Sequence, residues 1–187
     1  MTAAEFFGDV VDLLEAGDVA FMVAGSFASS FYGDARTTRD LDLVVEIDEH
    51  GVARLASAVD PTRWYLDRQS LLTAAHNRSM CNMIDMTSGW KADLIVRKDR
   101  PFSREEFRRR QSVELFDRRV AIATAEDVIL TKLEWAAMGT SQRQYEDVAG
   151  IIAVHRDALD VDYLRQWAPE LGVVDLLASA LMHKPWP

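Results

Sequence analysis

The stretch Val19-Ala20-Phe21-Met22-Val23-Ala24-Gly25-Ser26, separated by thirteen residues from Asp40-Leu41-Asp42-Leu43-Val44-Val45, decides how the chain is read. The first part is a short continuous apolar run, the pattern of a buried strand, and Gly25-Ser26 breaks it. In the second part Leu41, Leu43 and Val45 alternate with Asp40, Asp42 and Val44, which predicts another strand. Successive strand side chains point to opposite faces, so Asp40 and Asp42 stand side by side while Leu41 and Leu43 anchor the other face. Two carboxylates that close repel, and a hard divalent cation such as Mg²⁺ offsets the repulsion. A strand edge whose two aspartates face water satisfies the same spacing. Between the strands, residues 27 to 32 have room for one short helix. Its N-terminal N–H groups, with glycine leaving space and serine adding a hydroxyl, suit a phosphate chain held close to the backbone.

Upstream, Thr2 and Glu5 make a capping box, and Phe6, Phe7, Val10, Leu13 and Leu14 recur at helical spacing. Downstream, helices are expected at 51–59 and 69–76, and Met80–Met86 and Lys91–Val96 flank Thr87-Ser88-Gly89 as an antiparallel hairpin. A charged helix at 104–111 and a short last strand at 120–123 follow. Thr124 to Asp127 starts a helix whose apolar face carries Val128, Ile129, Leu133 and Ala136, and it ends at Gly139. Beyond it only helices are expected, at about 141–155, 160–168 and 171–182. The fold class read from this order is α/β (α+β), a mixed sheet flanked by helices over residues 1–123, with a helical C-terminal part over 124–187.

The 187 residues suffice to bury a hydrophobic core, and no apolar run reaches the roughly 20 residues of a membrane span. The lone Cys81 has no partner for an internal disulfide, and the acidic N-terminal segment does not read as a signal peptide, so a cytoplasmic location is expected. A net charge of −9 opposes indiscriminate binding to nucleic acid. Residues 97 to 119 run the other way, with nine basic side chains against five acidic ones, which fits a solvated helix face or a polyphosphate or RNA surface. His50, His76, His155 and His183 show no i, i+4 pair, so zinc is not expected.

Taken together, Gly25-Ser26 and Asp40-Leu41-Asp42 resemble the signature of the polymerase-beta-like nucleotidyltransferase superfamily. The run Arg36-Thr37-Thr38-Arg39-Asp40-Leu41-Asp42-Leu43 is most similar to the group of AbiEii-type toxins and minimal nucleotidyltransferases. The resemblance implies a third carboxylate from a neighbouring strand, for which Asp93 in Lys91-Ala92-Asp93-Leu94-Ile95-Val96 matches and Asp85 is the rival. It implies that Asp40, Asp42 and Asp93 bind Mg²⁺ or Mn²⁺, and that Asp93 assists removal of a proton from the acceptor hydroxyl. Gly25, Ser26, Arg36 and Lys132 are the expected contacts of a nucleoside triphosphate such as ATP. Lys132 reads equally well as a solvated lysine, and Arg143 with Asp147 as a surface ion pair.

The activity implied is transfer of a nucleoside monophosphate to a hydroxyl of a small molecule, a protein or a tRNA, with release of pyrophosphate. The other reading is a non-catalytic nucleotide- or partner-binding member of the fold, for instance one component of a toxin-antitoxin pair.

Overall fold

The computed structural model describes residues 1–33, 38, 40–139 and 141–182. The chain divides into two compact units, one of Met1–Ala24 with Thr38–Ile122, the other of Gly25–Thr37 with Ala123–Pro187.

The first unit is built on a seven-stranded mixed sheet. Its strands are β1 (Ala20–Val23), β2 (Asp40–Glu46), β3 (Trp64–Tyr65), β4 (Met80–Asp85), β5 (Lys91–Val96), β6 (Gln111–Leu115) and β7 (Arg118–Ile122), in the order β3-β4-β5-β2-β1-β7-β6. Strands β2 and β5 run parallel, as do β1 and β7, and the remaining neighbours are antiparallel. Helices α1 (Ala3–Ala16), α3 (Glu49–Ala58), α4 (Arg68–Asn77) and α5 (Pro101–Arg109) complete the unit, and α2 (Gly25–Tyr32) belongs to the second.

Alternation sets the two faces of the sheet. Leu41, Leu43 and Val45 of β2 pair in register with Ala92, Leu94 and Val96 of β5, and all six are fully buried. Burying a leucine side chain contributes about 2–3 kcal/mol, so this one face fixes the register: a slip of one residue would turn the aspartates inward. Phe6, Phe7, Val10 and Leu14 give α1 its buried stripe, and the capping box forms, with Thr2 N–H donating to Glu5 at 2.7 Å and Glu5 N–H to the Thr2 hydroxyl at 3.2 Å.

Two strands of this unit depart from the sequence reading: β3, where no strand is expected, and β6. The charged helix stops at Arg109, and Gln111–Leu115 forms a strand antiparallel to β7. Phe116 and Asp117, with φ of 50° and 59°, make the tight connection, both residues left-handed as such two-residue hairpin turns require.

The second unit is helical: α2 (Gly25–Tyr32), α6 (Ala125–Gly139), α7 (Gln142–His155), α8 (Val161–Leu171) and α9 (Val174–Leu181). Helix α2 packs against α6 and α7, which is why it groups with the C-terminal helices although its sequence lies between two strands. A Cβ on Gly33 would come within 3.0 Å of the Ile151 backbone nitrogen, so glycine is what lets the end of α2 approach α7. Thr124 and Asp127 open α6 as anticipated, the hydroxyl donating to the carboxylate at 2.7 Å. Among the described residues no helix is long and apolar enough to cross a membrane.

Candidate functional site

The parallel pairing of β2 and β5 sets Asp42 directly opposite Asp93, and Asp40 opposite Lys91. All four side chains therefore share one face of the sheet, the face away from the Leu41, Leu43 and Val45 side. Paired Cβ atoms on neighbouring strands lie about 5 Å apart, within reach of a shared ligand. The backbone is pinned at both ends: Asp40 N–H donates to the Thr38 hydroxyl at 3.2 Å, and Ala24 N–H donates to the Asp42 carbonyl at 2.9 Å. That second bond extends the β1–β2 ladder to the residue before Gly25.

Asp93 is 7% exposed, and both of its oxygens are engaged. Asn82, its antiparallel partner on β4, donates to Oδ1, and the Lys91 ammonium donates to Oδ2 at 3.0 Å. The same ammonium lies 3.7 Å from Asp40 Oδ1. Burial works against the Lys91 charge, but the hydrogen bond to Asp93 and the fields of Asp93, Asp40 and Asp42 outweigh it, so the group is held charged more firmly than a free lysine. Three carboxylates thus act on one cation. Among the described residues no three His, Cys, Asp or Glu side chains are grouped closely enough to hold a metal ion as they stand. The donor chemistry nonetheless fits a hard divalent cation: the carboxylates are all oxygen donors, and they already converge their field on a positive charge.

Asp85, the rival third acid, lies on the opposite face of β4 from Asn82 and is fully buried. Its Oδ1 accepts from the Thr87 and Ser88 N–H groups at 2.9 and 2.8 Å, and its Oδ2 from Arg63 Nε at 2.9 Å. It closes the β4–β5 turn and faces away from Asp42. Trp90, next to this turn, stacks against Phe6 with ring centroids 5.4 Å apart, a packing contact.

The remaining expected residues lie in the second unit or outside the described residues. Gly25 opens α2 with φ of 55°, a left-handed conformation that costs a side-chain-bearing residue about 1 kcal/mol or more. The Ser29 hydroxyl donates to the Ser26 carbonyl at 3.1 Å. Arg36, with Arg39 beside the acids, falls outside the described residues. Lys132 is only 3% exposed, not solvated, and donates to Asp147 Oδ2 at 2.7 Å and Gln144 Oε1 at 2.8 Å. Asp147 therefore pairs with Lys132 of α6, a residue of another helix.

At least four of the nine basic side chains of residues 97 to 119 stand in ion pairs. Arg97 pairs with Glu46 at 2.6 Å, Arg104 with Asp99 at 2.7 Å, Arg108 with Glu105 at 2.5 Å, and Arg118 with Asp12. These are the contacts of a solvated surface and do not form a bare phosphate-binding stripe.

Two polar residues of the site escaped the sequence reading. Lys91 was detectable, since it stands two before Asp93 on one strand and so shares its face. Asn82 required the hairpin register.

A mixed sheet of this order, carrying its acids on β2 and β5, is a nucleotidyltransferase-type fold. It is shared over 98% of this chain and 94% of the other by an antigenic nucleotidyltransferase-like protein from Paracoccidioides brasiliensis, at 16% identity and a TM-score of 0.56. The antibiotic-resistance factor ANT(2'')-Ia matches over 96% of this chain and 95% of its own, at 11% identity and a TM-score of 0.55. No protein-family model and no curated protein matches the sequence.

Proposed function

We propose that the protein is a metal-dependent nucleotidyltransferase that moves a nucleoside monophosphate from a nucleoside triphosphate to an acceptor hydroxyl. The observation that carries this reading is the placement of Asp42 opposite Asp93, with Asp40 two residues along the same face. Asp40, Asp42 and Asp93 would hold Mg²⁺ or Mn²⁺, which supplies neutralisation of the triphosphate charge and alignment for in-line attack. The acceptor oxygen attacks the α-phosphorus, the bond from that phosphorus to the β-phosphate bridging oxygen breaks, and pyrophosphate leaves. The acceptor proton passes to the Asp93 carboxylate, which is buried and oriented by Asn82. By the sequence resemblance, Gly25, Ser26 and Arg36 are the residues proposed to contact the triphosphate. Lys132 stays with Asp147 and Gln144, joining α6 to α7, and contributes to binding only through that support.

The net charge of −9, with Arg97, Arg104 and Arg118 each paired to an acid, favours a small-molecule or protein acceptor over a tRNA. The resemblance of the Arg36 to Leu43 motif to the AbiEii-type group supports membership there, and the single cysteine agrees with a cytoplasmic setting. A non-catalytic nucleotide- or partner-binding role, such as one half of a toxin-antitoxin pair, draws its support from the prior engagement of both Asp93 oxygens.

Incubation with each α-labelled nucleoside triphosphate and Mg²⁺ tests the proposal, using aminoglycosides, the protein itself and a tRNA pool as acceptors. Label transferred by wild type and lost in Asp42→Asn supports transfer chemistry. Equal triphosphate binding by both proteins with no transfer to any acceptor supports the non-catalytic role.

A further inference from the structure

We propose that Lys91 is the resident counter-cation of the carboxylate site, displaced from Asp93 and Asp40 when a divalent cation binds. This inference rests on the metal-dependent reading above and names the residue that controls it.

The register leaves Lys91 nowhere else to belong. It lies opposite Asp40 and two residues before Asp93, so its stem rises from the carboxylate face between the two acids. Its ammonium touches Asp93 Oδ2 at 3.0 Å and approaches Asp40 Oδ1 at 3.7 Å. A divalent ion held by Asp42 and Asp93 would need an Asp93 oxygen. Oδ1 is held by Asn82, whose amide hydrogen bond aims the carboxylate and need not break, and Oδ2 is held by Lys91. The ion therefore competes with Lys91 and not with Asn82.

Displacement is feasible because the Lys91 side chain is 33% exposed and carries a flexible four-carbon stem, so the ammonium can swing into water or onto an arriving phosphate. The consequence is coupling. A triphosphate that draws Lys91 away from Asp93 uncovers a metal ligand, and a metal that expels Lys91 supplies a cation to the triphosphate. By linkage each raises the affinity of the other by the same factor.

The test is Mn²⁺ binding without nucleotide, read as the electron paramagnetic resonance signal of free Mn²⁺, in wild type, Lys91→Met, Lys91→Gln, Lys91→Arg and Asp93→Asn. The expected result is roughly fivefold or greater tightening in Lys91→Met, the lower end of common coupling factors. Lys91→Gln, which keeps a polar group without the charge, tightens likewise and gives the reading if Lys91→Met fails to fold. Lys91→Arg, which retains a competing cation, stays near wild type, and Asp93→Asn loses binding. Wild type that binds Mn²⁺, with Lys91→Met and Lys91→Gln equal to it or weaker, overturns the counter-cation role alone. Absence of Mn²⁺ binding in every protein overturns this inference and the metal-dependent reading together.

Discussion

Asp42 of β2 lies directly across the parallel strand pair from Asp93 of β5, so two carboxylates distant in sequence share one spot on the sheet. That repulsive arrangement is unfavourable in a protein with no use for it, and in the structure Lys91 partly offsets it. Replacing Asp42 with asparagine removes a ligand and a like charge at once. The variant should lose about a hundredfold or more in pyrophosphate release while its melting temperature holds or rises. Pyrophosphate assays beside calorimetry on the same preparation check both halves.

Asp85 should matter to stability and not to chemistry. Asp85→Ala orphans the Thr87 and Ser88 N–H groups and takes one partner from Arg63, at a cost on the order of 3 kcal/mol. Burial alone would raise its carboxyl pKa, but hydrogen bonds from Ser88, Arg63 and Thr87 outweigh burial and hold it below the usual carboxylate range. The folded value is lower than the unfolded one, so the stabilisation is complete above about pH 4 and is lost as pH falls through the folded value. Urea titrations from pH 7 to pH 2 should show a shallower acid loss in Asp85→Ala than in wild type.

The first unit was open to reading wherever local pattern and tertiary role agree. Asp40-Leu41-Asp42-Leu43 alternates because one face is fully buried, and the Thr2–Glu5 box caps α1 as its spacing implies. Strand β6 was hidden because Gln111-Ser112-Val113-Glu114-Leu115 is an edge strand with two apolar residues, and Phe116-Asp117 makes its turn without the glycine or asparagine that advertises one. The grouping of α2 with the C-terminal helices, the Lys132–Asp147 pair and the facing of Asp40 by Lys91 all arise from contacts between segments far apart in the chain. No local periodicity carries them.

Tyr32 has a buried hydroxyl with no hydrogen-bond partner among the described residues. Tyr32→Phe removes that unsatisfied group and keeps the ring contacts to Phe31 and His155, so stability at pH 7 should rise by about 1 kcal/mol. Burial, with the negative charges of Glu126 and Asp127, pushes the phenol pKa up to about 12. Its stabilising contribution relative to the ionised form is therefore complete below about pH 10 and declines as pH rises toward the folded value. Chemical denaturation at pH 7 and pH 10.5 should show a smaller alkaline loss in the variant.

Lys132 and Asp147 form a buried ion pair, and removing either one takes from the other its opposite charge at 2.7 Å. Lys132→Met and Asp147→Asn should each cost about 3–5 kcal/mol, and Lys132→Met combined with Asp147→Leu should recover much of the loss. Triphosphate affinity measured on the folded Lys132→Met protein should stay within a few-fold of wild type. A drop of tenfold or more would reassign Lys132 to the phosphates.

Asp40 and Asp42 are proposed to bind a metal–triphosphate complex. Thermal unfolding of wild type and of the Asp40→Ala, Asp42→Ala double variant, with each nucleoside triphosphate at millimolar concentration and with or without Mg²⁺, tests it most directly. A ligand present at a hundred times its Kd adds about 2.7 kcal/mol of apparent stability. Wild type should show a Mg²⁺-dependent rise with at least one triphosphate, absent from the folded variant. No rise with any triphosphate, or an equal rise in both proteins, would contradict it.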